Sequence, residues 1–156
     1  MRYEEATIGV DDLFEEVRAQ YFPELANVDV MILLDTKKNK SKGKLVLGKI
    51  KKATDVERYL TSEEMPVGTT YPEEGYDYIM FLDKVMVNFC DDNDVKRIIR
   101  HELRHIFITE RGKLVLVPHS LEDFYEEVEL NNDDPRWAPR VSEMVTLIYE
   151  QGEDAE

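Results

Sequence analysis

The chain has 156 residues, of which 34 are acidic and 20 are lysine or arginine, and its formal net charge is −14. This length is sufficient for one domain with its own core, so we expect a single domain over residues 1–156, with the last few residues disordered. The acidic balance argues against a general nucleic-acid binder, which would be basic.

The sequence carries no pattern typical of export or of membrane insertion. The segment from Met1 to Ala6 is charged, unlike a signal peptide, and the chain has no long apolar run. The single cysteine, Cys90, cannot form an internal disulfide, which suits a reducing compartment. We therefore expect a cytoplasmic protein without a membrane partner, and the sequence leaves its oligomeric state open.

The first third of the chain predicts one helix and two strands. Apolar residues recur at helical spacing over residues 11–21, and Asp11 or Asp12 is the expected N-cap. The segments Val28 to Leu34 and Leu45 to Ile50 have the composition of strands, and the residues between them include a typical turn.

A lysine-rich stretch joins these two strands. Eight lysines and no acid lie between Lys37 and Lys52. The preferred interpretation is a solvated hairpin whose lysines discourage pairing with the edges of other sheets. The stretch could also contact phosphates, so a nucleic-acid partner stays open at this place.

The rest of the chain predicts one more central strand and several helices. A short helix is expected from Asp55 to Leu60 and a strand from Tyr76 to Leu82. The acids at positions 91, 92 and 94 are N-cap candidates for a helix that runs to about Ile108. The remaining expected elements are a strand over Lys113 to Val117 and helices over Ser120 to Leu130 and Ala138 to Gln151. The pattern predicts an α+β fold, with a mainly antiparallel sheet of three to four strands packed on the helix of residues 91–108 and on flanking helices.

Two of the three histidines frame the segment His101-Glu102-Leu103-Arg104-His105, which is the HExxH pattern. Histidines at i and i+4 on a helix project from one face, so both imidazoles can reach a single metal ion. A catalytic zinc ion takes three protein ligands and keeps a fourth position for water. Glu102 lies close enough to accept a proton from that water, which makes it the candidate general base.

The third ligand is less directly indicated. His119 follows a predicted strand that ends at Pro118, and the chain could return His119 to the two other histidines. The alternative is a carboxylate from one of the residues that follow, in which case His119 is an ordinary loop residue. The candidates for that carboxylate are Glu122, Asp123 and Glu126.

These residues and their order resemble the phage-type metallopeptidase family of phages and bacteria, which is related to SprT-like zincins. The likeness spans roughly residues 25–130, and its specific parts are HELRH and the later segment His119-Ser120-Leu121-Glu122-Asp123-Phe124. It implies a small zincin-like domain with Zn(2+) on His101 and His105, His119 as third ligand and Glu102 as catalytic base. The family often has Asp directly after the last histidine, where this chain has Ser120. Glu122 and Asp123 are then the candidates to hold a ligand histidine in place.

The favoured hypothesis is hydrolysis of peptide bonds in a peptide or protein substrate through a zinc-bound water. Tyr125 is a candidate to stabilise the oxyanion, from its proximity in the sequence alone. The longer metzincin pattern is excluded, because Ile108 and Arg111 occupy the positions of its glycine and third histidine. Two other hypotheses remain: a catalytically silent zinc-binding domain, and an acidic protein-interaction module in which HELRH is incidental.

Overall fold

The computed structural model describes residues 1–64, 71–117, 127 and 129–154. The predicted α+β class is confirmed: helices pack on a mainly antiparallel, open sheet of four strands, and two short hairpins lie beside it. The strands are β1 (Tyr3–Glu5), β2 (Val30–Asp35), β3 (Lys40–Ser41), β4 (Lys44–Leu45), β5 (Gly48–Lys52), β6 (Tyr78–Asp83), β7 (Ile106–Ile108) and β8 (Leu114–Leu116). The helices are α1 (Ile8–Tyr21), α2 (Asp55–Leu60), α3 (Lys84–Phe89), α4 (Asp92–Leu103) and α5 (Trp137–Asp154), with a 3-10 turn at Pro23–Leu25.

The four-stranded sheet has the order β1-β2-β6-β5. Its two central strands, β2 and β6, are parallel and almost continuously apolar, as expected for strands that are covered on both faces. Strands β1 and β5 are antiparallel to their neighbours and form the two edges. In this register Ile50, Met80 and Ile32 are adjacent and buried, whereas Lys49 and Lys51 project from the opposite face of the sheet.

Helices α1 and α4 pack against each other, and α4 also packs on β5. Their buried residues join the inward face of the sheet in one apolar core, to which α5 adds Val141 and Val145. The position of α4 is therefore fixed on one side by α1 and on the other by the edge strand β5.

The helix boundaries correct three sequence expectations. Helix α1 begins three residues earlier than predicted, because the side chain of Thr7, rather than Asp11 or Asp12, caps the N–H of Val10. The six-residue helix α3 was not predicted, since its length is too short for a periodic pattern. Helix α4 begins as predicted, with Asp91 as its N-cap, but it ends at Leu103 and not near Ile108.

The early end of α4 has a tertiary cause. Ile106 and Phe107 continue the apolar spacing of the helix, yet both lie in β7, which pairs with β8 in antiparallel register. Pairing between the two strands thus replaces further helical turns after Leu103.

Among the helices of the described residues, none combines the length and the apolar character needed to cross a membrane.

Candidate metal centre

The HExxH motif lies across the end of α4. His101 and Glu102 are in its last turn, and His105 is in the tight turn between α4 and β7. The N–H of His105 donates to the carbonyl oxygen of Glu102 at 3.1 Å, three residues back, as in a 3-10 turn. The expectation that both histidines are on the helix is therefore wrong for His105.

The two imidazoles are nevertheless neighbours. Their ring centroids are 6.1 Å apart and their planes are inclined at 80°. The tight turn keeps His105 on the same side of the chain as His101, one turn further along. Two nitrogen donors thus converge on one side of the chain, which is the arrangement that a shared metal ion requires.

A backbone carbonyl fixes the tautomer of His105. Nδ1 of His105 is 2.7 Å from the carbonyl oxygen of Val117, and the N–H of Val117 donates to the carbonyl oxygen of His105 at 2.7 Å. A carbonyl oxygen only accepts, so Nδ1 carries the proton and the lone pair of the neutral ring is on Nε2. Metal-binding histidines are commonly held through such a contact.

The sheet holds Val117 in this position. The buried Tyr78 of β6 donates its hydroxyl to the carbonyl oxygen of Val115 at 2.7 Å, and burial raises the pKa of Tyr78 to about 12. Nζ of Lys52 donates to the carbonyl oxygen of Leu114 at 2.8 Å. The hairpin of β7 and β8 is therefore fastened to β5 and β6 on one side and to His105 on the other.

Glu102 is buried, with a relative exposure of 6%. Desolvation raises the pKa of its carboxyl to about 7. Gly48, the first residue of β5, packs on it: a Cβ at Gly48 would lie 3.2 Å from Cγ and Oε1 of Glu102 and 2.8 Å from Cγ2 of Ile98. The absence of a side chain at position 48 thus gives the carboxylate its place against the sheet.

An open cleft runs along β5 above these residues. One part has a volume of about 530 Å³ and is lined by residues of β5, by the motif and by Val117. A second part, of about 380 Å³, extends from Gly48, His101 and Glu102 toward Trp137 of α5. His101 and Glu102 therefore lie where the two parts meet.

The basic residues of α4 and its C-cap Arg104 pair with carboxylates. Glu127 accepts from Nε of Arg100 at 3.1 and 3.2 Å and from Nε of Arg104 at 2.5 Å, while Lys96 pairs with Glu16 at 2.7 Å. Arg97 binds Asp94 at 2.8 Å and also contacts Asp133. The three arginines thus attach Glu127 and Asp133 to α4 and its C-terminal end.

Five predicted site residues lie outside the described residues: His119, Glu122, Asp123, Tyr125 and Glu126. Within the described ranges no group of three or more metal-binding side chains occurs. The structure thus brings together His101, Glu102 and His105 and leaves the third ligand as a prediction. The sequence reasoning gave no role to Gly48 or to the Val117 carbonyl. A glycine inside a strand is a signal of close backbone approach, whereas a backbone carbonyl leaves no trace in residue types.

The whole chain was compared with known proteins. A family model described as "Putative phage metallopeptidase" matches residues 1–149. Comparison with curated proteins and with solved structures gave no match.

Proposed function

Because the chain belongs to the family described as "Putative phage metallopeptidase", we propose that it is a zinc-dependent peptidase with Glu102 as its general base. The observation that carries the proposal is that His101, Glu102 and His105 line the cleft along β5, with His101 and Glu102 where its two parts meet. A metal centre in such a place is open to an extended substrate.

The donor set fits a zinc ion. His101 and His105 supply two imidazoles, and the Val117 carbonyl directs Nε2 of His105 away from the peptide backbone. His119 is the proposed third ligand, with Glu122, Asp123 or Glu126 as the alternative. A zinc ion bound there would lower the pKa of a water toward about 7 and polarise the carbonyl to be cleaved.

Glu102 accepts the proton of the attacking water in this proposal. Burial alone raises the pKa of this carboxyl to about 7, and a bound cation nearby would lower it, so that the carboxylate would be ionised at neutral pH. As the C–N bond breaks, the same carboxyl can pass its proton to the departing amine. Burial excludes bulk water from this carboxyl and keeps the proton at the reacting atoms.

The edge strand β5 supplies a surface for the substrate backbone. The N–H of Asp83 donates to the carbonyl oxygen of Leu47 at 2.9 Å, which shows which residues of β5 form backbone hydrogen bonds with β6. Because these residues alternate along the strand, the backbone groups of Gly48, Ile50 and Lys52 face away from β6. No strand of the described residues pairs with this side of β5, which we call the open edge. An extended peptide that adds to the open edge passes directly over Glu102.

Stabilisation of the oxyanion is assigned to Tyr125, whose position in the sequence close after His119 is the only support. A phenolic O–H is a suitable donor for this role. Replacement of Tyr125 by phenylalanine therefore belongs in the same set of measurements.

Metal analysis combined with an unbiased peptide library tests the proposal. Protein purified without a polyhistidine tag is expected to contain one zinc per chain and to cleave library peptides, with cleavage lost on chelation and restored by zinc. Full zinc content without turnover would contradict the peptidase and favour a silent zinc-binding domain. Absence of zinc, with a melting temperature unchanged by chelator, would contradict the metal centre itself.

A further inference from the structure

We propose that the cleft selects acidic peptides, and that Lys49 together with the lysines of the β3–β4 hairpin makes this selection. The inference rests on the proposed peptidase function and specifies the substrate class of the same site. It arises from the location of the lysine-rich stretch, which is the one strongly basic segment of an acidic chain.

The β3–β4 hairpin lies at the mouth of the cleft. Lys40 and Ser41 pair with Leu45 and Lys44, and Lys42 and Gly43 form the tip with positive φ angles. Leu45 of the hairpin and the next two residues, Val46 and Leu47, line the cleft together with His101, Glu102 and Trp137. The hairpin that carries the lysines at positions 40, 42 and 44 therefore adjoins the entrance to the metal centre.

Lys49 adds a positive charge on β5, the strand with which the substrate is proposed to pair. It follows Gly48 on β5 and borders the part of the cleft that contains His101, Glu102 and His105, while its side chain projects from the face of the sheet opposite to Ile50. Residues directly opposite each other on paired strands have Cβ atoms about 4.5–5.5 Å apart. A carboxylate of a peptide paired with β5 would reach Lys49 from the position opposite to it, and the next acid on that face would be two residues away.

Three lysines outside this group form ion pairs. Lys51 binds Glu57 at 2.7 Å, Lys84 binds Glu4 at 2.8 Å and Lys96 binds Glu16 at 2.7 Å. For Lys40, Lys42, Lys44 and Lys49 the described part of the chain provides no ion-pair partner. These four like charges, carried by the hairpin and β5 without such a pair, form a local positive field beside the substrate entrance.

An acidic peptide fits this field better than a nucleic acid does. The net charge of −14 repels a long polyanion, whose binding requires many neutralised phosphates. A peptide with two or three acids needs only the few lysines along β5 and the hairpin. The same peptide also forms backbone hydrogen bonds with the open edge, whereas a nucleic acid has no peptide groups that could pair with it.

The test compares matched peptides on the zinc-loaded protein. A sequence cleaved in the unbiased library is prepared with Glu, Gln or Lys at every second position, and kcat/KM is measured for each. We expect kcat/KM to decrease from the Glu peptide to the Gln peptide to the Lys peptide, by about two- to five-fold for each charge pair. The preference should shrink as the salt concentration rises from about 0.05 to about 0.5 M.

The variants Lys49→Gln and Lys40→Gln/Lys42→Gln/Lys44→Gln should each reduce the ratio of kcat/KM for the Glu peptide to that for the Gln peptide. Lys84→Gln removes the same charge beside β1, at the opposite edge of the sheet, and should leave the ratio unchanged. Circular dichroism and zinc content verify that every variant is folded and loaded.

The outcomes separate the two proposals. No cleavage of any library peptide refutes the peptidase function, and the inference with it. Cleavage without an acidic preference, or with a preference that the lysine variants retain, refutes the inference alone. Binding of a short DNA duplex that the triple variant loses, with peptide preference unchanged, would assign the lysines to nucleic acid and also refute it.

Discussion

The carbonyl oxygen of Val117 lies 2.7 Å from Nδ1 of His105, and the same two residues share a backbone hydrogen bond in the opposite direction. The pair joins the end of the HExxH motif to the end of β8, twelve residues later. It fixes the ring orientation and the tautomer of His105 through the backbone, independently of the residue type at position 117. The candidate metal centre is thus positioned by the β7–β8 hairpin as well as by α4.

Replacement of Glu102 by glutamine should abolish peptide cleavage while the zinc content stays the same. The amide has nearly the shape of the carboxylate but cannot accept the proton, so kcat/KM should fall by about 10²- to 10⁴-fold. Glu110→Gln, in the exposed turn between β7 and β8, is the matched control and should retain full activity. A Glu102→Gln protein that cleaves as fast as the unmodified chain would refute the mechanism.

Zinc stoichiometry should identify the third ligand. His101→Ala and His105→Ala should lose zinc, and His119→Ala should lose it or bind it much more weakly, because three protein ligands hold a catalytic zinc ion. Glu122→Gln, Asp123→Asn and Glu126→Gln should keep one zinc per chain. The reverse pattern, with zinc retained in His119→Ala and lost in a carboxylate variant, would assign the ligand to that carboxylate.

Gly48→Ala should lower both stability and activity. The added Cβ would meet Cγ2 of Ile98 at 2.8 Å and the Glu102 carboxylate at 3.2 Å, and such overpacking costs about 1–3 kcal/mol. Gly9→Ala, where the nearest atom is 3.8 Å away and the backbone is helical, should be neutral or more stable by about 0.5 kcal/mol. Urea unfolding and kcat/KM measure the two effects. Equal stability of the two variants would show that β5 does not approach Glu102 this closely.

Asp94 should contribute stability that depends on pH. It is 1% exposed and accepts hydrogen bonds from Arg97 at 2.8 Å and from Arg140 at 2.7 and 2.9 Å, so it joins α4 to α5. Burial opposes its ionisation, but the bonds from the two arginines outweigh burial and hold the pKa of its carboxyl below the usual value. Removal of one partner of a fully buried ion pair costs about 3–5 kcal/mol, and this is an upper bound for Asp94 because the Arg140 side chain is 46% exposed.

The direction of the pH effect follows from that lowered pKa. As the pH falls, the unfolded chain takes up the proton first, near pH 4, so the contribution of Asp94 is complete above that pH. It is lost as the pH falls further, through the lower pKa of the folded state. Asp94→Asn should therefore reduce the free energy of unfolding at pH 7 and much less at pH 3. Asp12→Asn, at an exposed position on α1, should change it by less than about 0.5 kcal/mol at either pH.

Local sequence patterns were sufficient for most elements. The prediction for α2 matches Asp55–Leu60 residue for residue, and both central strands lie within two residues of their predicted bounds. Here the spacing of apolar residues and the capping residues agree with the tertiary packing. At Ile106 and Phe107 the apolar spacing predicts more helix, whereas the tertiary structure has a strand. Short apolar segments are compatible with either element, and here pairing with β8 selects the strand.

The sequence by itself determined the α+β class and the HExxH motif, because both depend on residue types at short spacing along the chain. Only the tertiary structure decided that His105 lies beyond the helix, that the Val117 carbonyl holds its ring, and that Gly48 packs on Glu102. It also placed the lysine-rich hairpin at the entrance to the cleft. Each of these features depends on contacts between segments that are separated in sequence. Such contacts are fixed by the register of strands and the ends of helices, and these arise from packing and not from local composition.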